Sequence, residues 1–154
     1  MAFLHAGDTI SGQEGRAYAK INGQNEEMFY IKTLEASVEK TKAEIKTLGH
    51  RALQHKATGW SGTGSMTVYY VTSKFRQMML DYVKTGIDTN FDVHIINEDP
   101  TSTIGRQEVV LYNVNLNKVI IGKLDTESEA LEEELEFTFD GVDIAESFKA
   151  PTRV

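Results

Sequence analysis

Ten consecutive residues, Leu131-Glu-Glu-Glu-Leu-Glu-Phe-Thr-Phe-Asp140, alternate with a period of two. Leu131, Glu133, Leu135, Phe137 and Phe139 share one face; Glu132, Glu134, Glu136, Thr138 and Asp140 share the other. Such alternation is the signature of a β-strand with one side covered and one side wet. Carboxylates stripped of water without partners are prohibitively unstable, so the Glu132–Glu134–Glu136 face must stay solvated or be paired. A single strand cannot fold alone. The rest of the chain must therefore supply neighbours for it and a layer to cover its phenyl rings.

Those neighbours are visible. Ala17–Ile21 and Glu27–Ile31 flank Asn22-Gly23, a dipeptide suited to positive φ, and predict a short hairpin with residues 23–26 as its loop. Leu34–Leu48 and Arg51–Ala57, broken at Gly49, predict two long arms of a second hairpin, too polar along much of their length to be buried. Thr58-Gly-Trp-Ser-Gly-Thr-Gly64 has the composition of a flexible connector. Met66–Val71 and Phe91–Ile96 are strand-like, rich in β-branched and aromatic residues. Glu108–Leu116 alternates, with Val110, Tyr112, Val114 and Leu116 on one face, and Val119–Leu124 is expected to continue it.

One segment has helical spacing instead. Phe75, Met78, Met79, Tyr82 and Val83 fall on a single stripe, with Thr72 or Ser73 to cap its start and Gly86 to end it. The stripe is expected to pack on the core. The predicted fold class is thus mainly β: a sandwich or barrel of about seven to eight strands with one flanking α-helix over about residues 73–85. A single domain over residues 1–154 is expected, with the extended hairpin arm at about 34–57.

Charge is distributed unevenly. The 154 residues carry a formal net charge of −7. From Asp125 onward ten acids face two bases, a net −8, which leaves +1 over residues 1–124. The arm is mildly basic through Lys40, Lys42, Lys46, Arg51 and Lys56. An acidic chain of this kind lacks the overall basic character of a dedicated duplex binder. The chain has no cysteine, which removes disulfides, thiolate metal sites and cysteine nucleophiles. Its opening, Met1-Ala-Phe-Leu-His-Ala6, has neither the cationic flank nor the apolar run of an export signal, and no apolar stretch suggests a membrane anchor.

No constellation of reactive groups emerges. The glycine-rich run 59–64 lacks a P-loop lysine and precedes a strand rather than a helix. His50 and His55 lie five apart, on opposite faces of a regular strand, while His5 and His94 are isolated. The Glu132–Glu136 carboxylates lie on one strand, whereas a glycosidase places its pair across a cleft. Neither a nucleophile elbow nor a zinc-helix motif is present. No enzyme activity, metal or cofactor is expected. Self-association is: a basic arm could meet the acidic end of the next copy head to tail.

Several stretches also carry a resemblance. Asp8-Thr-Ile-Ser-Gly-Gln-Glu-Gly-Arg-Ala-Tyr18, Ile31-Lys-Thr-Leu-Glu-Ala-Ser-Val-Glu39, Thr58–Gly64, Val71-Thr-Ser-Lys-Phe75, Asp81-Tyr-Val-Lys84 and above all Leu124–Phe139 resemble, in order and spacing, the tail tube proteins of PBSX-type defective prophages. The likeness runs over roughly residues 8–145. It implies a non-enzymatic structural protein of a contractile phage tail or tail-like bacteriocin particle, made in the host cytoplasm. It further implies hexameric rings whose inner sheets merge into one β-barrel and stack into a hollow tube. The implied partners are other copies of the chain, the sheath protein, the tape-measure, baseplate and tail-terminator proteins, and double-stranded DNA passing without specific binding. On that basis Lys40, Lys42, Lys46, Arg51 and Lys56 become candidates for a subunit or ring interface. Glu132, Glu134 and Glu136 become candidates for an acidic lumen or interface face. The competing reading of the same residues is a monomeric, small-ligand-binding β-barrel.

Overall fold

The computed structural model describes residues 4–28 and 30–151. A short 3₁₀ turn at Ala6–Asp8 leads into strands β1 (Gly15–Ile21), β2 (Gln24–Glu27), β3 (Ile31–Ile45) and β4 (Gln54–Tyr69). Helix α1 (Lys74–Thr85) follows, then β5 (Phe91–Glu98), β6 (Arg106–Lys118), β7 (Glu132–Phe139) and β8 (Gly141–Glu146). All strand pairings are antiparallel, in the order β2-β1-β5-β6-β7-β4-β3, with β8 also on β6. The mainly β class with one helix is as the sequence predicts.

The sheet folds over on itself. Ala17, Ala19 and Ile21 of β1 lie near one end of the strand order and Met66 and Val68 of β4 near the other, yet they share one core with Phe91, Val93, Leu111, Val114, Leu135, Phe137 and Phe139. Only a doubled-over sheet brings both ends together. Burying each of the phenyl rings contributes about 1.5–3 kcal/mol. The corner is made at β6, where Asn113 takes φ 54° and the register with β5 shifts. Leu111 and Val114, on opposite faces in a regular strand, therefore both enter the core. Opposite this corner the chain crosses from β7 to β8, where Asn113 Nδ2 donates to Asp140 Oδ1 at 3.0 Å.

Several local expectations are corrected. The first hairpin turns on two residues, Asn22 and Gly23, both at positive φ, and β2 begins at once with Gln24 opposite Ile21. Residues 23–26 are thus not a loop. Residues 58–64 are not a connector but the middle of β4. Their glycines are there for contact, since a Cβ on Gly62 or Gly64 would stand 2.4 Å from Phe139 Cε2 or 2.3 Å from Phe137 Cζ. Val119–Leu124 is irregular rather than a continued strand, with Ile121 and Leu124 exposed. Strand β8, short and mostly exposed, had no strong sequence signal.

Helix α1 ends as expected. Gly86 adopts φ 75° and its N–H donates to the Tyr82 carbonyl at 2.9 Å. At the start, Thr72 Oγ1 accepts from the Lys74 N–H at 3.3 Å. A buried ion pair ties the helix to the sheet: Arg76 Nη1 meets Glu133 Oε2 at 2.7 Å, and the Glu133 side chain is 0% exposed. The Arg76 guanidinium also donates to the Thr72 carbonyl and lies 4.2 Å from the centre of the Tyr70 ring. Burial pushes the Glu133 carboxyl above its usual range, although Arg76 and Lys123 pull it the other way. The stripe of α1 packs only in part. Phe75 is buried and Met78 touches the core, but Tyr82 and Val83 are exposed.

Candidate assembly interface

Strands β3 and β4 pair over nearly their full lengths, from Ile31↔Val68 to Ile45↔Gln54. The third strand of this layer, β7, stops at Phe139, opposite Gly62. Eight residue pairs, Val38↔Gly62 through Ile45↔Gln54, lie at or beyond that point. At about 3.4 Å per residue this makes an arm of about 24 Å before the connecting loop. Every residue from Val38 to Trp60 is exposed. The arm is long because hydrogen bonding continues along the two strands. It is bare because neither layer of the folded sheet reaches far enough to cover it.

The two faces of this hairpin differ by the parity of the strand. Leu34 and Ala36 on β3, with Met66 and Gly64 on β4, face the core. One step further out the same face carries Val38, and then Trp60, which is 45% exposed and whose ring lies 6.4 Å from that of Phe139. The inner face is therefore a core-like strip that runs out past the core. Lys40 and Lys42 follow on it. Beyond Glu44 the tip is purely cationic: Lys46, Arg51 and Lys56 stand among residues 45–57 with no acid. The five basic residues singled out from the sequence thus all sit on the exposed arm, spread from its shoulder to its tip and not gathered into one patch.

The opposite face is carboxylate and hydroxyl. Glu134 lies opposite Thr67 and Glu136 opposite Ser65 on β4, while Ser65 lies opposite Glu35 on β3. Ser37↔Thr63 and Glu39↔Ser61 continue the same face along the arm. On the other flank Lys118 of β6 pairs with Glu136. Glu132, at the near end, is held by Lys32, Nζ to Oε1 at 2.7 Å, and that partner holds the Lys32 ammonium above its usual range. Glu132, Glu134 and Glu136 are thereby brought to one surface. Sequence analysis missed Glu35 and Glu39, which join them only through the β3–β4–β7 register. It also missed Arg76, whose acidic partner is 57 residues away.

Phe75, Phe137, Met66, Leu135 and Val114 fill the centre of the interior and are almost wholly buried. Between β1–β5 and the start of β3 a cleft of about 770 Å³ opens, with Ala17, Met28, Ile31, Leu34 and Ile95 in its lining. His94 stacks on Tyr18 with ring centres 4.5 Å apart, and Tyr18 Oη donates to Glu108 Oε1 at 3.3 Å. Burial first, and then Glu108, push the Tyr18 hydroxyl up. These groups belong to the β1–β5–β6 surface, away from the arm. Among the described residues no helix is long and apolar enough to cross a membrane.

A family model described as phage tail tube protein matches residues 2–146. The phage-like element PBSX protein XkdM of Bacillus subtilis (strain 168) is 48% identical over 143 residues, covering 93% of this chain and 95% of that protein. Among solved structures, the chain superposes on one from a six-fold symmetrised anti-feeding prophage baseplate with a TM-score of 0.64 at 12% identity, covering 94% of this chain and 97% of that one. It also superposes on one from the sheath–tube complex of an extracellular contractile injection system, with a TM-score of 0.62 at 11% identity and coverages of 88% and 90%.

Proposed function

The chain belongs to the phage tail tube protein family, and from that premise we propose that copies of it close into six-membered rings that stack as the hollow inner tube of a contractile tail or tail-like particle. The family is one of tail components with a structural role. The six-fold count is supported by the six-fold symmetry of the baseplate structure that holds one similar chain, and the sheath as a partner by the sheath–tube complex that holds another. Baseplate, tape-measure and terminator proteins are the further contacts that a tube of defined length requires.

The observation that carries the reading is the β3–β4 arm. It exposes Val38, Trp60, Ile45, Leu48 and Leu53 on an extension that runs out beyond its own core. Apolar side chains held out on a rigid ribbon are stabilising only once another molecule covers them. Sheet edges give a second reason for assembly. β3 is the last strand of its layer, and its outer row of N–H and C=O groups has no partner strand within the described residues. Joining edges around a ring removes that exposure.

In this tube the carboxylate and hydroxyl face of β3, β4 and β7 lines the bore, with Glu132, Glu134 and Glu136 joined by Glu35 and Glu39. A duplex carries about one negative charge per 1.7 Å of its axis, so a basic wall would hold it, whereas this one repels it weakly and lets it slide. Lys40, Lys42, Lys46, Arg51 and Lys56 then serve contacts between subunits or rings. The competing small-ligand barrel would use the cleft between β1–β5 and β3, but it gives no role to the exposed apolar arm, and that favours the tube.

Electron microscopy of the purified chain at rising concentration tests the proposal, with the emission of Trp60, the sole tryptophan, as a second readout. Rings or tubes with a blue shift of that emission are expected. A chain lacking residues 39–60 should stay folded and monomeric. Tubes of normal appearance from the shortened chain would overturn the role given to the arm.

A further inference from the structure

Helix α1 carries more apolar stripe than the core can use. Phe75 and Met78 face inward, but Tyr82 is 51% exposed and Val83 70% exposed, and Ile87 beyond the helix is bare as well. Beside this half of the helix lies a groove of about 300 Å³, floored by Met78, Met79 and Leu116 and rimmed by Tyr82, Asp88 and Asn117. Asp88 is oriented by Asn115, whose Nδ2 donates to its Oδ2 at 2.8 Å. Asp88 is the charged group in its lining, and Thr89, Asn115 and Asn117 complete the wall.

The tip of the arm has the opposite character. The His50 N–H donates to the Thr47 carbonyl at 3.4 Å, and Gly49 at φ 81° occupies the third position of the turn, which places Leu48 at its crest. Leu48 is 106% exposed, so its own chain shields none of it. Leu53 and Ile45 stand exposed nearby, and Lys46 and Arg51 flank the crest. An apolar side chain on a turn flanked by two cations matches a groove with a methionine and leucine floor and a carboxylate, Asp88, at its rim.

We propose that the arm tip of one copy seats Leu48 in the groove beside the C-terminal half of α1 of another copy, with the Lys46 and Arg51 side of the tip turned to Asp88. This deepens the tube reading and rests on it. Tip and groove are different surfaces, so the contact is head to tail and propagates from copy to copy. The crest turn is already formed in the single chain, so little ordering is needed on docking. The pairing also accounts for two exposures at once: a leucine that nothing covers and a helix stripe that overruns its core.

The chain has no cysteine, so L48C and V83C each introduce a lone thiol. The two variants are mixed, allowed to assemble and treated with a short bismaleimide. A mixture of L48C with T67C, the latter on the carboxylate-rich face, is the control. A covalent dimer about tenfold or more above the control is expected from L48C with V83C, because docking raises the local concentration of the two thiols. Tubes that form without this cross-link would overturn the docking and leave the tube intact. A wild-type chain that forms neither rings nor tubes would overturn both. L48D, altered where nothing in the monomer touches it, should raise the concentration needed for assembly about tenfold to a hundredfold, as loss of one buried leucine requires. Assembly of L48D at the wild-type concentration would also refute the contact.

Discussion

Gly64→Ala is the sharpest test of how the arm is rooted. A Cβ built on Gly64 stands 2.3 Å from Phe137 Cζ, 2.5 Å from Phe137 Cε2 and 2.8 Å from the backbone carbonyl oxygen of Glu35. The first of these is roughly 1 Å inside a comfortable carbon–carbon separation of about 3.5 Å. Phe137 is 1% exposed, so its ring has nowhere to move, and the Glu35 carbonyl belongs to the paired strand. The cost should fall at the upper end of overpacking, about 2–3 kcal/mol. For a domain of this size that lowers Tm by roughly 5–10 °C. At Gly62→Ala the three nearest atoms all belong to the Phe139 ring, the closest at 2.4 Å, with no backbone atom among them, so a slightly smaller cost of about 1–2 kcal/mol is expected. Gly59→Ala meets nothing within 4 Å and should be neutral, or stabilise by about 0.4–1 kcal/mol through the unfolded chain. Urea unfolding followed by far-ultraviolet circular dichroism reads all three. If this stretch were a flexible connector the three substitutions would behave alike, and equal stabilities would refute the packing argument.

Other consequences follow from the charged groups. Arg76→Met leaves the Glu133 carboxylate buried without its partner and should cost about 3–5 kcal/mol near neutral pH. Because Glu133 already holds its proton more tightly folded than unfolded, its contribution is most favourable at low pH and is lost as pH rises through the raised pKa. Removing Arg76 raises that pKa further, so the deficit relative to wild type should shrink on acidification from pH 8 towards 5. A pH-independent deficit in urea titrations would contradict this, and Arg76→Met with Glu133→Leu should recover most of the loss. Glu134→Lys with Glu136→Lys should leave the monomer's melting temperature within about 1 °C, since both side chains are exposed. In assembled particles the pair should slow DNA passage, and unchanged ejection kinetics from normal tubes would argue against placing this face in the bore.

Fold class and helix were legible because they depend on local periodicity. The β7 alternation forces Leu135, Phe137 and Phe139 inward whatever lies opposite, and the α1 stripe with Gly86 marks a helix and its end. Places where the reading went astray depend on what the neighbouring strand supplies. Gly62 and Gly64 have the composition of a loop, and only the rings of Phe139 and Phe137 across the pairing explain why they are strand. Leu111 and Val114 break alternation because Asn113 bulges, and a single asparagine at φ 54° announces itself weakly in a sequence. The three β7 carboxylates were identifiable as a polar face. Their company with Glu35, Ser65 and Thr67 required the register. Tyr82 and Val83 completed a stripe that the sequence assigns to packing. Periodicity says that a face is apolar, but not how far the body beneath it extends.

A projection that leaves the body in only one direction makes each molecule an arrow. Any column of copies laid down in parallel inherits that sense, with protruding ribbons at one terminus and unfilled recesses at the other. The two extremities are then chemically unlike: one offers naked leucine and ammonium groups, the other waits to receive them. Growth, once seeded, has a preferred heading, and whatever closes the far terminus must be shaped differently from whatever starts the near one.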